Sequence, residues 1–397
     1  MADPVRRRVP RRGRALLGGG ARARGATHQR RGRHRRARGG DRHQRLDRAG
    51  RRRRRARRPP RLSTPVTHVE LLPNLQESTV RAVRTAGVGS VALVDIAEPT
   101  AGPGEIVLEV AAAAVCNTDR KLVAKGTEQP RTLGHELTGH TSDGTLVGVH
   151  PEVSCQRCEA CLRGWENRCP DRVSLGIGRD GGLAERIVVP ADRTVEITGL
   201  DPVVGAMLEP LATVVHAVEL TRVEPDARAL VVGGGVMGVL SAWVLAARTA
   251  TVGLLQRSQP RRQLAVDLGI DRVVARPEDV PGALGGAPDL VVVTAPGAAP
   301  LAQALELVRP GGTVHAFAGS PGGAPVDANL VHYRHLTLVG STGSRLTDYR
   351  TAAAMVAAGE VPLGRLPHRT VALDELPHVL TADTDPTVLK TVAVVTG

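Results

Sequence analysis

The apolar positions of this 397-residue chain fall into two textures. From about residue 77 to about residue 210 they come in short alternating runs broken by Gly and Pro, the period-two pattern of half-buried strands. Residues 79–96 read as a strand pair around a turn at 87–89, and Glu105-Ile-Val-Leu-Glu-Val-Ala alternates directly after the turn Ala101-Gly-Pro-Gly. Residues 133–153 and 182–198 supply further short strand-like runs. Near residue 211 the texture changes. Segments 229–232, 251–255, 289–293 and 313–318 are short apolar strands, separated by helical stretches at 237–248, 260–268 and 300–308. Pro260 opens the second helix and Gly269 closes it, as the chemistry of helix ends favours. Strands alternating with helices predict a doubly wound parallel sheet, so the fold class is α/β: a β-rich block followed by a doubly wound block. Residues 347–358 read as a last helix before a short β-rich tail.

Charge changes the picture at the N-terminus. Residues 1–62 hold 25 Arg against Asp3, Asp41 and Asp47, a net of +22, so the rest of the chain carries −8 although the whole is +14. Such a tail could bind nucleic acid or anionic lipid by charge alone. Its lack of hydrophobic periodicity instead predicts a disordered segment over 1–65. Its Arg/Gly/Ala/Pro mixture, with only three Lys in the whole chain, reads as GC-rich DNA translated upstream of a true start near Val66 or Val69. Peptides from residues 1–60 in the natural protein would contradict that reading. No run of about 18 apolar residues is present, so no membrane-spanning helix is expected. The N-terminus lacks the apolar core of a secretory signal.

The candidate chemistry lies in three places. Cys155, Cys158, Cys161 and Cys169 crowd into fifteen residues. Four thiolates suit tetrahedral zinc, and a site closed by four sulfurs leaves no open position, so it should be structural. Five cysteines, an odd number and mostly clustered, argue for metal over disulfides and for a reducing, cytoplasmic setting. Upstream stand Cys116-Asn-Thr-Asp119 and Gly134-His135-Glu136, with Cys116 and His135 as good zinc ligands on separate segments; Glu209 in Leu208-Glu-Pro-Leu-Ala is a plausible further carboxylate. Third, Gly233-Gly-Gly235-Val236-Met237-Gly238 follows a strand and opens a helix, the context a dinucleotide-binding loop requires. The next strand ends in Gln256-Arg257-Ser258, where an acidic residue would hold the ribose of NAD. Arg257 could pair with a 2′-phosphate and Ser258 could donate to it, which favours NADP over NAD.

These motifs, in this order, resemble the zinc-containing medium-chain alcohol dehydrogenases, over residues 78–397. Glu136 and Glu-Pro-Leu-Ala are most similar to the polyol branch, with sorbitol, threonine, glucose and cyclitol dehydrogenases. The resemblance implies a GroES-like catalytic domain over 66–210, a Rossmann NAD(P)-binding domain over 211–345 and a C-terminal return to the first domain over 346–397. It implies one catalytic zinc surrounded by Cys116, His135 and Glu136, with Glu209 at or near it, and one structural zinc. Thr118 matches the hydroxyl that relays the alcohol proton, and Asp119 a residue that orients the site. Lys121 stands where several relatives place a relay His, and the stretch from Glu136 to Cys155 is shorter than usual. A homodimer or homotetramer is implied.

The expected reaction is hydride transfer between a secondary alcohol (a polyol, sugar or cyclitol) and NAD(P), with a small-molecule alcohol or ketone as partner. A zinc-free quinone or enoyl reductase of the same fold is disfavoured by Cys116, His135 and the four clustered cysteines. A nucleic-acid-binding zinc protein with a basic arm leaves the glycine loop unexplained, and the acidic body argues against it.

Overall fold

The computed structural model describes residues 78–249, 251–383 and 385–395; the Arg-rich segment lies outside them. The chain begins with a hairpin, β1 (Thr79–Gly87) and β2 (Ser90–Ala97). Gly87 and Gly89 take positive φ there, a backbone conformation that a Cβ would strain. Then follow β3 (Glu105–Ala114), helix α1 (Asn117–Lys125), β4 (Glu136–His140), β5 (Leu146–Val149), β6 (Glu152–Val153), α2 (Glu159–Leu162), β7 (Val173–Ser174), β8 (Arg186–Pro190) and β9 (Thr194–Glu196). Helices α3 (Pro202–Ala206) and α4 (Leu208–Thr221) lead to the second block.

That block runs β10 (Arg228–Val232), α5 (Val236–Ala246), β11 (Thr251–Leu255), α6 (Gln259–Asp267), β12 (Arg272–Val274), α7 (Val280–Leu284), β13 (Leu290–Val293), α8 (Ala298–Leu307), β14 (Thr313–Ala316), α9 (Ala328–Tyr333), β15 (Thr337–Gly340) and α10 (Leu346–Ala357). The chain closes with β16 (His368–Val371), α11 (Leu376–Thr381) and β17 (Lys390–Val394). The C-terminal segment is thus not purely β: α11 packs Leu376, Val379 and Leu380 into the first block's core.

Two sheets organise the molecule. The second block is a six-stranded parallel sheet in the order β12-β11-β10-β13-β14-β15. That order reverses direction between β10 and β13, and in doubly wound sheets ligands bind in the crevice at such a switch point. Leu230, Val291 and Val314 pack α7 and α8 against one face, while Val231, Val292 and Leu254 pack α4 and α5 against the other. The first block is a mostly antiparallel sheet in the order β16-β17-β3-β4-β5-β9, with β8 on β3. β3 ends in four buried alanines, Ala111 to Ala114; α3 sits close against Ala112 and Ala114. β17, the last strand, pairs with β3, so residues near the C-terminus lie beside residues 112–116.

A buried polar clasp ties the four-cysteine lobe to the second block. Asn167 Nδ2 lies 3.0 Å from His216 Nε2 and donates to the Thr342 carbonyl at 3.2 Å. His216 Nδ1 lies 2.9 Å from Asp348 Oδ2, and Leu346 N donates to Glu166 Oε1 at 2.9 Å. Burial opposes the Asp348 charge, but hydrogen bonds from His216 and Arg345 outweigh it and hold the carboxyl down at about 2.

Candidate active site

Cys116 sits at the N-cap of α1, just past the end of β3. Its amide donates to Asp119 Oδ2 at 2.8 Å, and the other Asp119 oxygen accepts from Gly134 N at 3.2 Å. Asp119 is fully buried and therefore ties the Cys116 turn to the turn carrying His135. The same Oδ1 lies 3.7 Å from His135 Nδ1. That leaves Nε2 as the nitrogen for a metal, in the carboxylate–histidine arrangement that orients such ligands. Burial alone would lower the basicity of His135; the Asp119 carboxylate more than offsets it and raises it well above the usual value.

The ligand atoms of Cys116, His135 and Glu136 lie within 4.8 Å of one another. Glu136 follows His135 directly and begins β4, whose pairing with β3 sets Glu136 opposite Ala114. Both Glu136 oxygens are held by the ammonium of Lys390, which also donates to the Val115 carbonyl at 3.2 Å. Both side chains are almost fully buried. Burial disfavours the Lys390 charge, yet Glu136 and Cys116 raise its pKa. Losing one partner strands a buried charge, at about 3–5 kcal/mol. Lys390→Met should therefore lower the unfolding free energy, measured by chemical denaturation, by that much, and Lys390→Met/Glu136→Gln should recover most of it; equal stability of the single variant and the parent would refute the account.

Lys390 was not foreseen: it is 254 residues from Glu136, and only the β17–β3 pairing joins them. Lys121 is exposed on α1 and lines neither cleft described below. Glu209, in the first turn of α4, is not among the three grouped ligands. It does line the same cavity. Burial raises its pKa to about 7, with Glu136 and Glu152 adding to the rise and His135 and Lys390 opposing it.

That cavity, of about 330 Å³, is lined by Cys116, Thr118, His135, Glu136, Glu152 and Glu209 among others, with Gly343 at one side. A larger cleft of about 810 Å³ lies over the C-terminal ends of β10 and β13. Asn117, Val236, Met237 and Leu389 line both, so the two spaces adjoin. In the larger cleft the loop 233–238 turns at Gly233 with φ 112°. A Cβ on Gly238 would come within 1.8 Å of the Gly233 carbonyl, so only glycine lets α5 start this close to β10. Gly235 stands at the N-cap of α5 and lines the cleft, so the start of that helix borders it. Val236 and Met237, expected at the cofactor, form the shared wall.

Gln256 and Arg257 line the cleft beyond β11, joined by Arg261 and Arg276, which periodicity had not singled out. Among the described residues neither Arg257 nor Arg261 forms an ion pair; Arg276 pairs with Asp279 at 3.1 Å. Ser258 stands at the N-cap position of α6, its amide donating to Gln256 Oε1 at 3.0 Å, and is not among the residues lining the cleft.

The four clustered cysteines bring their sulfurs within 4.8 Å of one another. Sulfurs at about 2.3 Å from a tetrahedral zinc stand about 3.8 Å apart. Cys158 and Cys161 are 3.5 Å apart and Cys155 and Cys161 4.0 Å, so the lobe fits such an ion. Backbone amides of Arg157 and Cys158 pull the Cys155 thiol down to about 6, favouring the thiolate that zinc requires.

A GroES-like sheet with a three-ligand group, facing a dinucleotide fold across one cleft, defines a metal-and-nicotinamide oxidoreductase. Residues 102–199 match the alcohol dehydrogenase GroES-like domain and residues 235–358 the zinc-binding dehydrogenase domain. The chain belongs to the zinc-binding alcohol dehydrogenase family. It is 30% identical to L-galactonate-5-dehydrogenase of Escherichia coli (strain K12) over 284 residues, 66% of this chain and 83% of the relative. It is 30% identical to D-altritol 5-dehydrogenase of Agrobacterium fabrum over 337 residues, 78% and 98% of the two chains. Among solved structures, a zinc-binding dehydrogenase from Sinorhizobium meliloti 1021 bound to NADP superposes with a TM-score of 0.75 at 31% identity, covering 80% of this chain and 99% of that one. The protein is an oxidoreductase of the alcohol–ketone type. Among the described residues no helix is long and apolar enough to cross a membrane.

Proposed function

We propose that the protein oxidises a secondary alcohol of a polyol or sugar to a ketone, and the reverse, with NADP as its preferred cofactor. The observation that carries this is that the cavity of the three-ligand group and the cleft over the glycine loop adjoin, sharing Asn117, Val236, Met237 and Leu389. Cys116 and His135 would hold the catalytic zinc, with Glu136 or Glu209 as the neighbouring carboxylate; Cys155, Cys158, Cys161 and Cys169 would hold the structural one. When bound, zinc supplies Lewis acidity to the substrate oxygen and the nicotinamide exchanges the hydride. Thr118, half-buried on the cavity wall, carries the alcohol proton away through its Oγ1. Asp119 keeps His135 in one orientation, and Lys390 holds Glu136 in place. Val236, Met237 and Leu389 exclude water where the two spaces meet.

The NADP preference rests on the unpaired guanidinium groups of Arg257 and Arg261 and on the lack of a carboxylate at the end of β11. The NADP-bound relative is in keeping with it. The chain is assigned to the cytoplasm, a reducing setting that keeps its five cysteines out of disulfides and available to metal. It is assigned a dimeric or tetrameric state: β15 ends its sheet with Leu338 40% exposed, an open edge a second copy can cover.

The test is absorbance at 340 nm with a panel of polyols and both cofactors. Turnover should favour NADP, and Arg257→Ala should raise its KM by about 10–100-fold, as loss of a charge-assisted contact predicts, with little change for NAD. A parent enzyme indifferent to the 2′-phosphate would refute the cofactor reading, and no turnover of any alcohol would refute the reaction.

A further inference from the structure

Resting on the dehydrogenase reading above, we propose that Glu152 is a specificity-determining residue: its carboxylate accepts a hydrogen bond from a hydroxyl of an uncharged polyol and turns away substrates carrying a carboxylate at that end. Glu152 opens β6 and lines the 330 Å³ cavity with Cys116, Thr118 and His135. It is only 7% exposed. One of its oxygens is anchored twice: Oε2 accepts from Ser174 Oγ at 2.8 Å and lies 3.1 Å from Arg172 Nε. Arg172 is held in turn by the Asn167 carbonyl at 2.7 Å. The carboxylate therefore has one fixed orientation. Among the described residues no hydrogen bond reaches Oε1, which leaves it as an acceptor in waiting. The space beside it exists because residue 343 is glycine: a Cβ there would stand 3.1 Å from Oε1.

The charges around the cavity point the same way. Its wall holds three carboxylates, Glu136, Glu152 and Glu209. Its lysine, Lys390, is committed to Glu136, and His135 to Asp119. No unpaired cation among the lining residues is available to a substrate carboxylate, which would lie against Glu152 or Glu209 in a partly desolvated space. A hydroxyl brings the donor that Oε1 lacks, and sites built around such a bond reject analogues that cannot make it. The relatives named above include a dehydrogenase of a sugar acid and one of an uncharged alditol; the wall of this cavity suits the second.

Galactitol and L-galactonate differ only at C1 and make a matched pair. Their kcat/KM values should be measured for the parent, Glu152→Gln and Ser174→Ala, with galactitol binding to the enzyme–NADPH complex followed by calorimetry and folding checked by thermal melting. The parent should prefer galactitol by about 100-fold. Glu152→Gln should lose about 10–100-fold on galactitol, mainly in KM and in the calorimetric Kd, while gaining on L-galactonate, so that the preference narrows. Ser174→Ala, which frees one anchor and keeps the charge, should weaken galactitol binding without admitting the acid; it keeps the test alive if Glu152→Gln fails to fold. A parent that oxidises L-galactonate as well as galactitol, or a preference unmoved in Glu152→Gln, overturns the assignment and leaves the dehydrogenase reading intact. A parent that oxidises no alcohol with either cofactor overturns both.

Discussion

Cys116→Ser should lower kcat/KM by at least about a thousandfold while the protein stays folded and its zinc content falls from two ions per chain to one. The magnitude follows from the role assigned to the three-ligand group. Lewis-acid activation of a bound oxygen contributes several kcal/mol, and about 1.4 kcal/mol is a factor of ten in rate. A serine oxygen at this position is a poor replacement for a thiolate. The fold should survive because the local geometry does not depend on the sulfur. The Cys116 backbone amide, not its side chain, makes the 2.8 Å bond to Asp119, and α1 starts on that bond. Metal analysis, thermal melting and turnover on the same preparation decide it. A variant with full activity, or one that keeps both ions, would remove Cys116 from the catalytic site.

Cys158→Ser should act in the opposite order, on stability before chemistry. Apparent binding free energies of structural zinc sites run to roughly 10–16 kcal/mol in small peptides, against a total stability of about 5–15 kcal/mol for ordinary domains. Residues 154–169 contain one short α-helix and one 3-10 turn and bury little apolar surface: Leu162 is 76% exposed and Trp165 39%. The lobe has no hydrophobic core to fall back on. Its loss would also release the Glu166 and Asn167 contacts to Leu346 and Thr342. The variant should be recovered in low yield, melt well below the parent and hold the catalytic ion alone. An unchanged melting temperature with one ion lost would show that the lobe is held by its backbone and by the clasp rather than by metal.

These two experiments separate roles that four clustered cysteines and one distant cysteine had already suggested. How far the rest could be read varies by element. The hairpin at 79–97 and the four inner strands β10, β11, β13 and β14 were legible because local alternation and glycine turns report directly on backbone geometry, whereas the short edge strands β12 and β15 were not. The glycine loop was legible because its backbone must meet the start of a helix, and only Gly238 permits that approach. Helix α11 was not legible: Leu376-Pro-His-Val-Leu-Thr is six residues long and too short for its period to show.

What the sequence alone determined, then, was the α/β class and the two candidate ligand sets and glycine loop that the structure draws together, each encoded within a few dozen residues. Only the tertiary structure decided which of those groups act on one another. It set Lys390 on Glu136 through the pairing of the last strand with β3, and put Glu209, Glu152 and Gly343 on the wall of the cavity that holds Cys116, His135 and Glu136. The physical reason is the same in each case. Spacing along the chain reports contacts made within a turn or a loop, whereas the charge balance of a buried cavity depends on side chains delivered by strands and helices far apart in sequence.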